Sequence, residues 1–182
     1  MMRLLRGLAG KSDWDLVRLV ADGREAAFRE LLDRHQDAVF RLVRGMLRDA
    51  AEAADLTQET FLRFYRTAGK YRPEAALRTF LLRIAKNLCI DHIRRSRPVY
   101  METPPEAVEE DTPDRALVRA ESLEALNRAV SELPESQRMA VLLRHGENLR
   151  YNEIAEVMDT SVSAVESLLV RARKTLRARL RP

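Results

Sequence analysis

Residues 77–97 read Leu-Arg-Thr-Phe-Leu-Leu-Arg-Ile-Ala-Lys-Asn-Leu-Cys-Ile-Asp-His-Ile-Arg-Arg-Ser-Arg, with neither Gly nor Pro among them. Laid out at about 100° per residue, Leu77, Leu81, Leu82, Ile84, Ala85, Leu88, Cys89 and Ile93 cover most of the circumference of one helix. Such a helix has to be buried on most sides, so other helices must surround it. One narrow stripe is left over, at offsets of three and four: Phe80, Arg83, Asn87, Asp91 and Arg94, followed by a basic end at Arg95 and Arg97. An aromatic ring can stack on an unpaired base, an amide can hydrogen-bond its edge, and guanidinium groups can hold the phosphates beside it. On a helix taken alone a solvated stripe is the commoner explanation, because exposed Arg is ordinary. The flanking sequence has to decide.

Upstream, Gly69 to Ala76 is a loop by its Gly and Pro, with Tyr71 and Arg72 as candidate working residues. Held between two packed helices, such a loop can form a pocket for one flipped base. Before it, Ala51 to Thr67 reads as a helix on which Asp55, Gln58, Glu59 and Leu62 share a face, while Leu56, Phe61, Phe64 and Tyr65 supply packing bulk. Arg24 to His35 and Asp37 to Arg48 read as two further amphipathic segments, with His35 at their junction as a packing or capping residue. Ser12 with Asp15 forms a capping box that opens a short helix through Trp14, Val17 and Val20, closed by Gly23.

Downstream, Pro98 to Asp114 contains four prolines and six acidic residues and no basic one, the composition of an extended, self-repelling linker. Arg115 to Leu133 then reads as a helix ending before Pro134. Three more follow: one opening at Pro134 and running through Val141, Leu142 and Leu143, one over Leu149 to Met158, and one over Val162 to Leu180. The turn Asp159-Thr160-Ser161 makes the last pair a helix-turn-helix, with Ser161 as N-cap. On the last helix Val165, Leu169, Ala172, Leu176 and Leu180 face inward, and Ser163, Glu166, Ser167, Val170, Arg171 and Lys174 face outward. Short polar groups with a central Arg suit close approach to a major groove, and Arg173, Arg177, Arg179 and Arg181 suit the flanking phosphates.

The fold class is therefore all-α: two small helical domains, 12–97 and 115–182, joined by the acidic linker 98–114. With 182 residues, 46% of them hydrophobic, there is enough apolar material for two cores. The net charge of +4 conceals a pattern, since residues 1–97 carry +7, residues 98–114 carry −6 and residues 115–182 carry +3. Two basic lobes around an acidic strap point to nucleic acid, with a membrane surface as the competing partner. The single cysteine gives no disulfide framework and no thiolate metal cluster, and His35, His92 and His145 are scattered, so neither metal nor cofactor is expected. The start carries too little apolar sequence for a signal peptide and no run approaches a membrane span, so a soluble, cytoplasmic protein is expected.

Ile84-Ala85-Lys86-Asn87 and Asp91-His92-Ile93-Arg94-Arg95, with Asp55-Leu56-Thr57-Gln58-Glu59-Thr60-Phe61-Leu62 before them, resemble region 2 of the bacterial sigma-70 family in its compact extracytoplasmic-function group. Tyr151-Asn152-Glu153-Ile154-Ala155 with Arg171-Ala172-Arg173 resembles region 4 of the same family. The resemblance implies a non-enzymatic initiation factor that binds core RNA polymerase through the β′ clamp helices and the β subunit. Asp55, Gln58, Glu59 and Leu62 would then bind polymerase, and Tyr71, Arg72, Phe80, Arg83, Lys86, Asn87, Arg94 and Arg95 would bind the melted -10 element of promoter DNA. Ser163, Glu166, Ser167, Val170, Arg171, Arg173 and Lys174 would read the -35 element. It implies too that the linker threads towards the RNA exit path, and that an anti-sigma factor controls the chain and can hold it at the inner membrane. Three positions depart from the family pattern: Phe80 stands where Trp is usual, and Glu166 and Leu168 where basic residues are common.

Two other classes compete. A stand-alone helix-turn-helix regulator explains the second lobe but gives no reason for the Asp55 to Leu62 phrase or the strap. A nucleic-acid enzyme lacks metal spacing and paired carboxylates beside a phosphate-binding loop.

Overall fold

The computed structural model describes Leu8 and residues 10–72, 75–96 and 124–180; the linker, residues 115–123, Pro73, Glu74, Arg97 and Arg181 lie outside the described residues. Those described contain no strand. The first lobe is built from α1 (Asp13–Ala21), α2 (Glu25–Leu47), α3 (Ala50–Thr67), a short 3-10 turn (Ala68–Lys70) and α4 (Leu77–Ser96). The second consists of α5 (124–131), α6 (Glu135–Val141), a wide π turn (Leu142–Gly146), α7 (Tyr151–Met158) and α8 (Val162–Arg179).

The ends of these helices follow from local chemistry. Ser12 accepts a hydrogen bond from the Asp15 backbone N–H at 3.2 Å, and Gly23 at φ +79° turns the chain out of α1. Asp49 caps α3 by accepting from the Glu52 N–H at 2.9 Å, and Ser161 caps α8 by accepting from the Ala164 N–H at 3.2 Å. One boundary differs from expectation. Residues 25–47 form a single helix rather than two segments, because nothing between His35 and Asp37 breaks the apolar stripe of Leu31, Ala38, Val39 and Leu42. His35 consequently lies in mid-helix, buried, with Nε2 2.8 Å from Asp13 Oδ2. Arg34 reaches the same Asp13 at 3.0 Å and Glu30 at 2.8 Å, so adjacent side chains of α2 tie down the head of α1.

The helix α4 is the shared wall of the molecule. It packs on α2 and α3 on one side and on α7 of the second lobe on the other, and this is why Leu77, Leu81, Leu82, Ala85, Leu88 and Cys89 are all buried. The π turn also differs from the straight continuation through Leu143 that the sequence suggests. It swings Leu142 onto α2 at Gly45, where a Cβ would lie 2.7 Å from Leu142 Cδ2. One apolar cluster consequently runs through both lobes, from Leu16 and Leu42 to Leu143, Ile154 and Val165.

Candidate nucleic-acid and polymerase interfaces

Three surfaces carry the predicted site residues. The first is on α3. Asp55, Gln58 and Leu62 are exposed, and Glu59, half-buried, accepts from Arg63 Nε at 2.8 Å. Leu62 and Tyr65 expose large apolar surface beside these acidic and amide groups, and the Tyr65 ring is held edge-on by Phe28 at 5.1 Å. Below them Phe61 and Phe64 anchor the helix in the core, so the outer face is presented on a rigid support. An acidic face with an apolar centre suits a basic helical partner.

The second surface is the open stripe of α4. Arg83, Asn87, Asp91, Arg94 and Arg95 are exposed and Phe80 is partly so. The Arg83 guanidinium lies over the Phe80 ring at 5.4 Å, which places a cation and an aromatic face side by side at the head of the helix. Behind Phe80 an aromatic chain continues inward through Tyr71 at 5.1 Å to Trp14 at 6.1 Å.

Two residues expected on this surface are turned away from it. Tyr71 is buried, and its hydroxyl donates to the Ala75 carbonyl at 2.7 Å, so its ring supports Phe80 instead of offering a stacking face of its own. Burial pushes the phenol up from its ordinary value. Lys86 is 8% exposed, covered from the second lobe, and burial lowers its ammonium pKa against the partial opposition of Asp159. Which neighbours cover these two positions is set by contacts from outside the helix, beyond what its own periodicity contains. Arg72 is exposed and donates to the Tyr71 carbonyl at 3.1 Å. On the buried side Cys89 sits in an apolar setting that pushes its thiol up to about 12, slightly offset by Arg138.

The third surface is on α8. Val165, Leu169 and Ala172 are buried, and Ser163, Glu166, Ser167, Val170, Arg171, Arg173 and Lys174 are exposed, with Val170 at 62%. Arg171 Nε donates to the Ser167 carbonyl at 3.2 Å, which lays the guanidinium along the outer face. Asp159, in the left-handed region at φ 56°, gives the tight turn that sets α8 across α7. Arg173 and Arg177 also line a groove of about 630 Å³ floored by Leu126, Val141 and Leu176, on the flank of α8. Arg179 is held by Glu132 rather than standing open towards a phosphate.

Sequence reasoning did not single out the ion cluster where the lobes meet. Glu147, with its side chain 1% exposed, accepts from Arg41 Nε at 3.0 Å and Nη2 at 3.1 Å, and from Arg78 as well. Those partners are 106 and 69 residues away in sequence, beyond the reach of any local pattern.

An all-helical, two-lobed chain with a helix-turn-helix in one lobe and an exposed arginine and asparagine stripe beside an aromatic ring in the other has the build of a DNA-reading transcription factor. Residues 31–99 match the family model described as Sigma-70 region 2, and residues 123–176 match Sigma-70, region 4. The chain is 34% identical to RNA polymerase sigma-H factor of Pseudomonas aeruginosa over 96% of its length and 97% of the relative's. It is 29% identical to ECF RNA polymerase sigma factor SigW of Bacillus subtilis, over 91% and 95%. Among solved structures, CnrH in complex with the cytosolic domain of CnrY superposes with a TM-score of 0.71 at 26% identity, covering 92% of this chain and 96% of that one. The chain belongs to the sigma-70 family, in its extracytoplasmic-function group, whose members are initiation factors and not enzymes.

Proposed function

We propose that the chain binds core RNA polymerase through α3, reads a melted -10 strand with α4 and reads -35 duplex with α8. Asp55, Gln58, Glu59 and Leu62 meet the β′ clamp helices; Phe80, Arg83, Asn87, Arg94 and Arg95 stack on, read and neutralise the opened strand, with Arg72 at its edge. Tyr71 acts from beneath Phe80, and Lys86 becomes available when the lobes part. Ser163, Glu166, Ser167, Val170 and Arg171 enter the major groove, flanked by Arg173 and Lys174. The observation that carries this division is that the partly exposed Phe80 and the exposed Arg83 lie side by side on the one stripe of α4 that the core does not cover.

The acidic strap, residues 98–114, joins the two readers and its charge suits the basic channels of the polymerase. CnrH is solved with the cytosolic domain of CnrY, which supports control of this chain, too, by an anti-sigma partner that can hold it at the inner membrane. Among the described residues no helix is long and apolar enough to cross a membrane, and a cytoplasmic location fits its work on polymerase. The test is a titration on a pool of upstream DNA fragments, with and without bacterial core RNA polymerase. Specific binding and strand opening that appear only with the core enzyme are the expected result. Selective duplex binding that the polymerase leaves unchanged would overturn it in favour of a stand-alone regulator.

A further inference from the structure

The Glu147 fork sits at the junction of the two lobes, and both of its arginines belong to the first lobe. A carboxylate so enclosed is costly to bury unless it is paired, and Arg41 and Arg78 supply the pairing. Beside it, Leu142 seats on the bare backbone of Gly45. These two contacts, one ionic and one steric, draw the π turn of the second lobe onto α2 and the head of α4.

What they bring into place is α7 and its C-terminal turn, alongside the base-stacking stripe. Ala155, Glu156, Asp159 and Thr160 form one wall of a cleft of about 430 Å³ whose other wall is Ala75, Thr79, Phe80 and Arg83. Two carboxylates, Glu156 and Asp159, thereby line the side from which a phosphate backbone would approach Arg83 and Lys86. The outer faces of α3 and α8 are left open. From this we infer that Glu147 is a latch: by clamping Arg41 and Arg78 it holds the second lobe over the strand-reading face of α4, so the chain on its own is closed to single-stranded DNA.

The latch is balanced rather than locked. Desolvating Glu147 offsets part of its attraction to the two guanidinium groups, which keep much of their own surface in water. Closure also buries Lys86 and leaves Arg138 Nε without a hydrogen-bond partner among the described residues, with burial and Arg48 both disfavouring the Arg138 charge. Geometry makes opening obligatory, since -10 and -35 lie some 25 base pairs apart, about 85 Å at 3.4 Å per pair. Two lobes in contact cannot occupy both. The inference rests on α4 being the -10 reader, and its experiment separates the two claims.

Spin labels on Asp33→Cys and Ala178→Cys, one per lobe, in a Cys89→Ala background report the interlobe distance of the full chain without polymerase. A narrow main distribution with at most a minor longer component is expected, and it should broaden and lengthen in Glu147→Gln and again in Gly45→Gln, which fills the Leu142 seat while suiting a helix. Glu132→Gln, which breaks the Arg179 pair inside the second lobe, should leave it narrow. In parallel, affinity for a fluorescein-labelled random single-stranded DNA of about ten nucleotides should rise roughly ten-fold in both opened variants, as for a competent form going from about a tenth to nearly all of the population. A broad distribution in the unaltered chain, or no broadening in either variant, overturns the latch. Broadening with no gain in strand affinity upholds the latch and removes α4 as the reader.

Discussion

Phe80 has the Arg83 guanidinium over its ring and the buried Tyr71 ring behind it, so its ring is held in place, as the proposed stacking on a base requires. Base–aromatic stacking contributes about 1–3 kcal/mol per base. Phe80→Ala should therefore slow open-complex formation on a cognate promoter by roughly ten-fold or more, while polymerase affinity in a pull-down titration stays unchanged. Equal losses in both assays would mean that the ring serves the fold instead. Phe80→Trp, which enlarges the stacking face and adds an indole donor, should move opening the other way. At the opposite side of the same helix Cys89 supplies a pH-dependent prediction. Burial raises its thiol from 9.0 to about 12, so the neutral form is the one the fold accommodates. Its contribution to stability is complete below 9 and is lost as pH rises towards 12. Thiol alkylation at pH 8 should be slow in the native protein and fast in denaturant; rapid native labelling would mean that the site is opened frequently.

The outward faces of α3 and α8 are cheap to alter because little of the fold depends on them. The Glu59–Arg63 pair is a surface i,i+4 contact worth about 0.3–0.5 kcal/mol. Gln58→Ala combined with Glu59→Ala should thus leave the melting temperature nearly unchanged and weaken polymerase binding several-fold, with strand opening per bound complex preserved. A matched fall in both would undermine the assignment of α3 to polymerase. Ser161 differs, since its hydroxyl caps α8. Ser161→Ala should cost about 1 kcal/mol, lowering the melting temperature by about 2–4 °C in calorimetry and weakening -35 duplex binding by misplacing the helix start. Elements such as these were legible in the sequence because caps, turns and amphipathic stripes are local. Ser12, Gly23 and Ser161 each set a helix end through residues within a few positions. The continuity of α2 was local too, since nothing at 35–37 breaks its apolar stripe; what was not legible was the partner of its mid-point His35, Asp13, which lies on a different helix.

At the scale of the whole molecule, what stayed hidden in the sequence was the relation between the lobes. The periodicity of residues 77–97 announced burial on most sides, but the second layer of that burial comes from α7, across the linker. Lys86 and Glu147 acquire their surroundings only there. That relation has a thermodynamic signature. A single apolar cluster crosses from the first lobe into the second, so disrupting either lobe removes packing from α4 and destabilises the other. The unaltered chain should melt in one transition, with a van't Hoff enthalpy equal to the calorimetric one. Lys86→Met replaces a buried ammonium whose burial lowers its pKa, so it should raise that single transition by a few degrees, roughly 1 kcal/mol in a protein of this size. Gly45→Gln should have the contrary effect. It strengthens α2 locally, since Gly in a helix interior costs about 1 kcal/mol relative to Ala, yet it evicts Leu142 and uncouples the lobes. Its expected calorimetric trace is two transitions, each with its own van't Hoff enthalpy. One unbroken transition in Gly45→Gln, at a temperature no lower than that of the unaltered chain, would mean that Leu142 finds another seat and that the packing of α4 on α7 alone couples the lobes.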